Sequence, residues 1–327
     1  MPDNAKSDYL VGLDLGGTKI LAGVFTNSLQ CIGVAKLSTK AQRGVEAVIP
    51  RIERCIRDAV DEADLSMKQV VGVGIGAPGA VDFESGTVIF APNMEGWKDV
   101  PLKKVLEKQL DVPVFVENDA NIGVLGVHVA ELKGKPRTVV GIFVGTGIGG
   151  GLIVNGELYN GFNHTAGEIG HMVIEVNGPK CGCGNRGCLE ALASRTAIFR
   201  RIEAAVKDGQ ETVLTDLVGK DLTDMRSGDL RKAIRRGDKF VAKVIEEAAE
   251  FAGIGVANLI NILNPEIVVV GGGVIEALQD EMMPTLVKTA KEHVMPGTMS
   301  GIEIKASKLG DNAGITGAAV LARRATA

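Results

Sequence analysis

A tight group of possible metal ligands lies near the middle of the sequence. Cys181, Cys183 and Cys188 fall within eight positions, and His171 precedes the first of them by ten. Three thiolates and one imidazole make a complete tetrahedral zinc set, and the intervening glycines would let the chain wrap tightly around an ion. The sequence predicts a structural zinc with no position open for a reacting water. The alternatives are a disulfide with a spare thiol, or unrelated core cysteines.

Two carboxylates flank this group in the sequence. Glu168 lies three residues before His171, and Glu190 lies two residues after Cys188. A folded zinc loop would therefore hold both carboxylates near the metal. Either of them could instead be a solvated surface charge.

A glycine turn near the amino terminus combines several groups that bind phosphates. Asp14 stands near the end of an apolar strand, Gly16 and Gly17 form the turn, and Thr18 and Lys19 add a hydroxyl and an amine. Glycines let the main chain approach an anion closely with its N–H groups. The pattern predicts a phosphate loop, and a tight hairpin turn with an incidental lysine is the alternative.

A second glycine turn has a related composition. Gly145, Thr146 and Gly147 begin a run to Gly150 that matches the G-x-G-x-x-G pattern of dinucleotide-binding proteins. That pattern requires a helix after the turn. Residues 151–156 read as a strand and a turn instead, so the dinucleotide interpretation is disfavoured.

A third glycine turn lies between a predicted strand and a predicted helix. It consists of Gly271, Gly272 and Gly273. A nucleotide could lie against such a turn, and a purely structural turn explains the pattern nearly as well.

A polar step follows another apolar strand. Glu117, Asn118 and Asp119 stand where the strand ends and a helix begins. Ligands bind at such strand ends in α/β sheets, and a carboxylate there could accept a proton from an attacking hydroxyl during phosphoryl transfer. The alternative for Asp119 is the role of helix N-cap, which is compatible with the first.

The elements that must position these groups alternate between strands and helices, as in an α/β protein. The predicted strands are 9–15, 20–25, 70–75, 112–116, 140–144, 152–154, 267–270 and 302–306. The predicted helices are 45–63, 101–110, 120–132, 189–207, 240–263, one from the third glycine turn to 293, and one from 311. Residues 140–147 parallel residues 11–18, which predicts an internal duplication.

Composition limits the classes of partner. The 327 residues suggest about two domains, and 36 Lys and Arg against 40 Asp and Glu give a net charge of −4. No basic tract could follow a phosphate backbone, so we expect no nucleic-acid partner. No apolar run approaches the roughly 20 residues of a membrane span, and no signal segment is evident. We therefore expect a cytoplasmic protein with no membrane partner.

Taken together, the motifs resemble the ROK family (repressors, open reading frames and kinases). They are, in order, Asp14–Lys19, Ala77–Gly79, Glu117–Asn121, Gly145–Gly147, Gly167–His171, Cys181–Glu190 and Leu309–Gly314. The resemblance implies an α/β protein with the duplicated actin-like (ribonuclease H-like) ATPase fold, two domains around a cleft. The smaller domain would comprise residues 1–119 and 308–327, with the first phosphate loop and the sugar loops. The larger, residues 120–307, would carry the second phosphate loop, the zinc loop and the adenosine side.

The resemblance also assigns roles to individual residues. It places ATP phosphates and adenosine on Gly16, Gly17, Thr18, Lys19, Gly145, Thr146, Gly147, Gly271, Gly272 and Gly273, with Asp14 near a magnesium ion. It makes Asp119 the catalytic base. It places sugar hydroxyls on Gly79, Asn93, Asn118, Asp119, Glu168, His171 and Glu190. His171 would then bind zinc through one ring nitrogen and sugar through the other.

The resemblance implies an enzyme that uses ATP and Mg²⁺ and contains a structural Zn²⁺. Repressor members carry a DNA-binding segment before the first strand, and only about eight residues precede it here, so the kinase branch is expected. Residues 93–102 are similar to the pattern of the members that phosphorylate glucose, so the expected reaction is phosphorylation of the 6-hydroxyl of glucose. N-acetylglucosamine, N-acetylmannosamine, fructose or allose are alternative substrates, and a non-catalytic sugar-binding regulator is an alternative of another class. A homodimer or homotetramer is expected.

Overall fold

Two five-stranded sheets with corresponding strand orders form the framework of the chain. A computed structural model describes residues 8–91, 93–310 and 312–327. The strands are β1 (Tyr9–Leu15), β2 (Lys19–Phe25), β3 (Cys31–Ser38), β4 (Val70–Ala77), β5 (Ala80–Asp82), β6 (Thr87–Phe90), β7 (Lys98–Val100), β8 (Val114–Asn118), β9 (Val139–Val144), β10 (Ile148–Val154), β11 (Glu157–Leu158), β12 (Ile267–Gly271) and β13 (Glu303–Ala306). The helices are α1 (Val45–Glu62), α2 (Leu102–Leu110), α3 (Asp119–Gly126), α4 (Leu189–Ala193), α5 (Arg195–Lys207), α6 (Leu214–Val218), α7 (Ser227–Arg235), α8 (Lys239–Leu263), α9 (Gly273–His293) and α10 (Asn312–Thr326).

The two sheets repeat one topology. The first has the order β3-β2-β1-β4-β8, and the second has the order β11-β10-β9-β12-β13. In the first sheet β2 is antiparallel to β1 and β3, whereas β4 is parallel to β1 and β8. In the second sheet β12 is likewise parallel to β9 and β13. The repeated order confirms the predicted duplication. A small third sheet has the order β5-β6-β7.

Helices cover both faces of the first sheet, which explains why its strands read as nearly continuous apolar runs. On one face, Leu13 of β1 belongs to the same buried cluster as Ile52 of α1. On the other face, Leu10 belongs to a cluster with Ile315 of α10. Successive side chains of a strand point to opposite faces of the sheet. A central strand with helices on both faces therefore needs apolar residues at odd and at even positions.

Glycines let α10 pack unusually close to β1 and β4. A Cβ placed on Gly74 of β4 would lie 1.8 Å from Ala318 O, and one on Gly12 of β1 would lie 1.9 Å from Ile315 O. Both atoms are backbone atoms of α10, so no side chain can rotate away. The helix therefore holds its distance from the sheet only while these positions lack side chains.

We expect Gly74→Ala to lower the free energy of unfolding by about 1–3 kcal/mol, because the added methyl group forces α10 away from the sheet. Chemical denaturation followed by circular dichroism measures the change. The matched control is Gly228→Ala in α7, where a Cβ meets nothing within 4 Å and alanine favours the helix. Equal stability of the two variants would contradict the packing argument.

The structure confirms most predicted elements and corrects two helices. The predicted helix 120–132 is α-helical over Asp119–Gly126 and continues as a π-helix over Val127–Glu131. Residues 189–207 form two helices rather than one, because Ser194 has extended backbone (ψ 164°) and its Oγ accepts a hydrogen bond from Ala197 N as the cap of α5. Neither β3 nor the small third sheet was predicted from the sequence pattern; strands β5 and β7 of that sheet have three residues each. None of the helices in the described part of the chain combines the length and apolarity needed to cross a membrane.

The described residues fall into two compact units. The first contains residues up to Arg137, Gly151–Gly167 and α10, and the second contains Thr138–Gly150 and Glu168–Gly310. The domain boundaries predicted after residues 119 and 307 stay a prediction. The two compact units described here keep α3 in the first unit, because α3 packs along α10.

Candidate active site and metal centre

The four predicted zinc ligands come together in the second unit. The ligand atoms of His171, Cys181, Cys183 and Cys188 all lie within 4.8 Å of one another. Cys181 Sγ lies 3.7 Å from His171 Nδ1, and the Sγ atoms of Cys183 and Cys188 are also 3.7 Å apart. All five cysteines of the chain are described, and each is a free thiol, so the disulfide alternative does not form.

The spacing of these atoms fits tetrahedral zinc. Zinc–sulfur bonds of about 2.3 Å at tetrahedral angles place two sulfurs about 3.8 Å apart, close to the 3.7 Å between Cys183 and Cys188. Burial raises the pKa of the Cys188 thiol to about 12, whereas a hydrogen bond from the Asn185 backbone lowers the pKa of Cys183. A buried thiolate needs a cation beside it, and a zinc ion held by these four residues would supply that charge.

Local hydrogen bonds close the loop that carries the cysteines. Cys181 N donates to Asn185 O over 2.8 Å, and Gly184 N donates to Cys181 O over 3.1 Å. Gly187 has a φ of +68°, and a Cβ there would lie 1.6 Å from Glu175 O. Only glycine fits this position, so it lets the chain turn back toward the cluster immediately before the last cysteine.

Glu168 and Glu190 both lie beside the cluster. Glu168 Oε2 is 3.9 Å from His171 Nε2, the ring nitrogen that does not face the sulfurs. Glu190 Oε1 is 3.7 Å from Cys181 Sγ, and its Oε2 accepts a hydrogen bond from Ile148 N over 3.0 Å. Glu190 therefore joins the metal cluster to the start of β10, directly after the second glycine turn.

The second glycine turn, Gly145–Gly147, is held from one side by the start of α5. Arg195 N donates to Gly145 O over 3.0 Å, and Arg195 Nη2 donates to Thr146 Oγ1 over 2.5 Å. Thr196 Oγ1 donates to Thr146 O over 2.7 Å. β10 begins directly after the turn, so a strand stands where a dinucleotide fingerprint needs a helix, and that alternative is excluded.

The third glycine turn lies against the end of β9. Gly272 is the N-cap of α9, and a Cβ on it would lie 2.6 Å from Val144 O. Val144 is the last residue of β9 and immediately precedes the second turn. The second and third turns are therefore neighbours at one edge of the second sheet, with Gly273 exposed as the first residue of α9.

In the first unit, β8 ends in the predicted polar step. Asn118 is the N-cap of α3, and its Oδ1 accepts hydrogen bonds from Ala120 N and Asn121 N over 2.9 and 3.1 Å. Asp119 is the first helical residue, and its Oδ1 accepts from Ala120 N over 2.8 Å. The alternative that Asp119 is the helix cap is wrong, because Asn118 takes that place. The half-buried Asp119 side chain stands at the carboxyl end of β8.

A buried carboxylate anchors this strand end. Glu117 is only 2% exposed, and its Oε1 accepts from Asn118 N and Asn121 Nδ2 over 2.8 and 3.0 Å. Its Oε2 accepts from Asn160 Nδ2 over 2.5 Å. The Asn118 Nδ2 group donates to Gly79 O over 2.9 Å, which brings two predicted sugar-binding residues together.

The first glycine turn is closed by its own backbone and by a buried threonine. Gly16 N donates to Lys19 O over 2.9 Å. Thr39, fully buried, donates through Oγ1 to Gly16 O over 2.5 Å and through N to Thr18 O over 2.9 Å. Gly17 and Thr18 remain exposed at the tip, where their N–H groups can meet an anion.

Two other predicted residues lie near this turn. A Cβ on Gly314 would be 2.9 Å from Asp14 Cγ, so the first turn of α10 passes beside that carboxylate. A Cβ on Gly17 would be 3.9 Å from Asn93 O. The exposed Asn93 therefore belongs to the surroundings of the first turn.

The predicted residues divide between the two units, one group in each. The first unit holds Asp14, Gly16, Gly17, Thr18, Lys19, Gly79, Asn93, Asn118 and Asp119. The second unit holds Gly145, Thr146, Gly147, Glu168, His171, Cys181, Cys183, Cys188, Glu190, Gly271, Gly272 and Gly273. Their functional roles stay predictions. Within each group, hydrogen bonds or close approaches connect residues that are far apart in the sequence.

Sequence reasoning missed three residues that hold these groups in place. They are Thr39 behind the first turn, Asn160 on Glu117, and Arg195 on the second turn. Thr39 and Asn160 belong to no motif. Arg195 could have been identified only from the break between α4 and α5 at Ser194. The apolar periodicity of residues 189–207 predicted one continuous helix across that break.

Comparisons with known proteins agree on one family, the ROK family. The sequence profile of the ROK family matches residues 10–325. The chain is 38% identical to a glucokinase of Thermotoga maritima over 95% of this chain and 96% of the relative. It is 32% identical to a xylose repressor of Caldicellulosiruptor bescii over 94% of this chain and 76% of the relative.

A solved structure shows the same likeness in three dimensions. A ROK family glucokinase from Streptomyces griseus, crystallised in complex with glucose and AMPPNP, has a TM-score of 0.86 and 32% sequence identity, and the alignment covers 97% of this chain and 99% of that one. The predicted fold class, the duplicated actin-like ATPase fold with two α/β domains, is confirmed.

Proposed function

The chain belongs to the ROK family, and we propose that it is a glucokinase, an enzyme that transfers the γ-phosphoryl group of ATP to the 6-hydroxyl of glucose. The likeness over nearly the whole length to a glucokinase solved with glucose and AMPPNP carries this proposal. The two groups of site residues supply the chemistry that the reaction needs: a carboxylate, phosphate-binding glycine turns and polar groups for sugar hydroxyls.

Asp119 is the catalytic base of the proposed reaction. Its carboxylate accepts the proton of the glucose 6-hydroxyl as that oxygen forms a bond to the γ-phosphorus. The bond between the γ-phosphorus and the bridging oxygen breaks, and ADP leaves. Ala120 N orients the carboxylate through its hydrogen bond to Oδ1, and the buried Glu117 anchors the strand end on which Asp119 stands.

The glycine turns bind the phosphates of ATP through exposed backbone N–H groups. Lys19 adds positive charge at the first turn, and Asp14 is the candidate ligand for magnesium. A bound Mg²⁺ ion neutralises charge on the phosphates and holds them in place. The third turn lies beside the second, and the adenosine of ATP is proposed to lie against it.

Zinc has a structural role in this proposal. His171, Cys181, Cys183 and Cys188 would hold the ion, and coordination would fix the orientation of the His171 ring, whose Nδ1 faces Cys181 Sγ. His171 Nε2 lies on the side of Glu168, and both groups would contact sugar hydroxyls. Glu190, Gly79, Asn93 and Asn118 complete the proposed sugar contacts.

The test is an activity assay with purified chain, ATP, Mg²⁺ and a panel of hexoses, with ADP release followed by a coupled reaction. We expect the highest kcat/KM for glucose, and a dehydrogenase specific for glucose 6-phosphate should detect the product. A higher kcat/KM for N-acetylglucosamine, N-acetylmannosamine, fructose or allose would reassign the substrate. The same preparation is expected to sediment as a dimer or a tetramer.

The likeness to a xylose repressor favours a second candidate, a sugar-binding regulator without turnover. Glucose binding measured by calorimetry separates the two. Binding together with ADP release supports the kinase, whereas binding of glucose or xylose without ADP release, in the presence of ATP and Mg²⁺, supports the regulator.

A further inference from the structure

Arg195 places a guanidinium group directly on the second glycine turn. Its Nη2 donates to Thr146 Oγ1 over 2.5 Å, and Thr146 is the exposed tip of that turn. The residue is the first of α5 and is half-buried. A positive charge is therefore held at the turn whose backbone is proposed to face the phosphates of the nucleotide.

The turn does not need this charge for its shape. Arg195 N donates a hydrogen bond to Gly145 O, and Thr196 Oγ1 donates one to Thr146 O. At the other end of the turn, Glu190 Oε2 accepts a hydrogen bond from Ile148 N. These contacts fix both ends of the turn, and none of them uses a guanidinium group. The hydrogen bond from Arg195 Nη2 to the Thr146 hydroxyl is therefore not needed to maintain the backbone conformation of the turn.

In the described part of the chain, the charge also lacks an acidic partner. Among the described residues, no carboxylate lies within ion-pair distance of Arg195, whereas Arg201 on the same helix pairs with Glu247. Arginine presents five N–H donors in a planar fork that matches phosphate oxygens, and a single bond to a hydroxyl uses few of them. An anion bound at the turn would satisfy the remaining donors.

We propose that Arg195 binds the phosphate chain of the nucleotide donor, together with the backbone of the second glycine turn. The inference rests on the proposed function, because it takes ATP as the ligand of that turn. Arg195 determines affinity for the phosphates and contributes neither to sugar binding nor to adenosine binding.

The experiment compares Arg195→Ala, Arg195→Lys and the wild-type chain. Calorimetry measures the affinities for ADP and for adenosine, and steady-state kinetics measures KM for ATP and for glucose. We expect Arg195→Ala to weaken ADP binding and to raise the ATP KM about tenfold, the typical effect of losing a charged hydrogen bond. Adenosine affinity and the glucose KM should stay unchanged, and the lysine variant should recover most of the loss.

Two further variants exclude a purely structural role. Arg201→Ala removes a charge from the same helix at a site away from the turn, and it should leave ADP affinity unchanged. Thr146→Val removes the hydroxyl that Arg195 contacts. If Arg195 acts on phosphate, Arg195→Ala weakens ADP binding in the Thr146→Val background as well. If it only holds Thr146, the second substitution adds nothing, which overturns the proposal.

The outcomes for this proposal and for the glucokinase assignment are separable. A wild-type chain that phosphorylates glucose, with an Arg195→Ala variant that binds ADP equally well, overturns the role of Arg195 alone. A wild-type chain that phosphorylates no hexose, but whose ADP affinity depends on Arg195, supports the role and overturns the glucokinase assignment. A wild-type chain that does not bind ADP overturns both.

Discussion

An Asp119→Asn variant is expected to phosphorylate glucose about 10² to 10⁴ times more slowly than the wild-type chain, while it keeps its fold and its glucose affinity. The amide has the size and shape of the carboxylate, but it cannot accept the proton of the 6-hydroxyl. The loss should therefore appear in kcat, with little change in either KM. Steady-state kinetics with saturating ATP and Mg²⁺ measures it.

The structure explains why this substitution spares the fold. The helix cap is Asn118 rather than Asp119, and the amide oxygen of an asparagine at 119 can still accept the hydrogen bond from Ala120 N. The substitution removes a favourably placed negative charge from the first turn of α3, a change worth about 0.3–1 kcal/mol. Thermal unfolding should show a small shift.

Asp111→Asn is the matched control for this prediction. Asp111 is exposed and occupies the left-handed C-cap position of α2, a conformation that asparagine also adopts readily. The control variant should keep wild-type kcat and stability. An Asp119→Asn enzyme with near-normal turnover and intact glucose binding would show that another group removes the proton.

Sequence patterns predicted the features that depend on near neighbours in the chain. The hairpin of β1 and β2, the amphipathic helix α1 and the zinc ligands each follow from spacing within a short segment. The duplication was also visible, because residues 11–18 and 140–147 repeat one strand-and-turn pattern. These features need no knowledge of the rest of the fold.

The contacts that hold the site residues in place join segments that are distant in the chain, and local sequence patterns do not predict them. Thr39 reaches Gly16 across 23 positions, Asn160 reaches Glu117 across 43, and Arg195 reaches Thr146 across 49. Threonine, asparagine and arginine are ordinary surface residues by type. Only the folded backbone decides which of them is turned toward a glycine turn or a buried carboxylate.

Removal of one cysteine of the cluster should have the second large effect. We expect the wild-type chain to contain about one zinc per chain by metal analysis, and Cys188→Ser to lose it, because three remaining donors leave the tetrahedral set incomplete. Turnover should fall about 10²-fold, the scale expected when a substrate-positioning group shifts by about an ångström. The melting temperature should fall as well, since zinc binding contributes to folding.

Cys31→Ser is the matched control, because Cys31 is an exposed free thiol on β3 and is not one of the four clustered ligands. It should keep zinc, stability and activity. Prolonged dialysis of the wild-type chain against a chelator should reproduce the Cys188→Ser result, and added zinc should restore activity. A metal-free chain with full activity and unchanged melting temperature would contradict the structural role of zinc.

The kinetic pattern of zinc loss should also differ from that of Arg195→Ala. His171 faces the cluster through Nδ1 and Glu168 through Nε2, so a disordered cluster should raise the glucose KM. Glu190 lies beside Cys181 and holds Ile148 N, so the same loss should reach the second glycine turn and raise the ATP KM. Arg195→Ala removes a side chain that contacts only the second glycine turn among the site residues. Zinc loss should therefore move both KM values, whereas the arginine variant should move one.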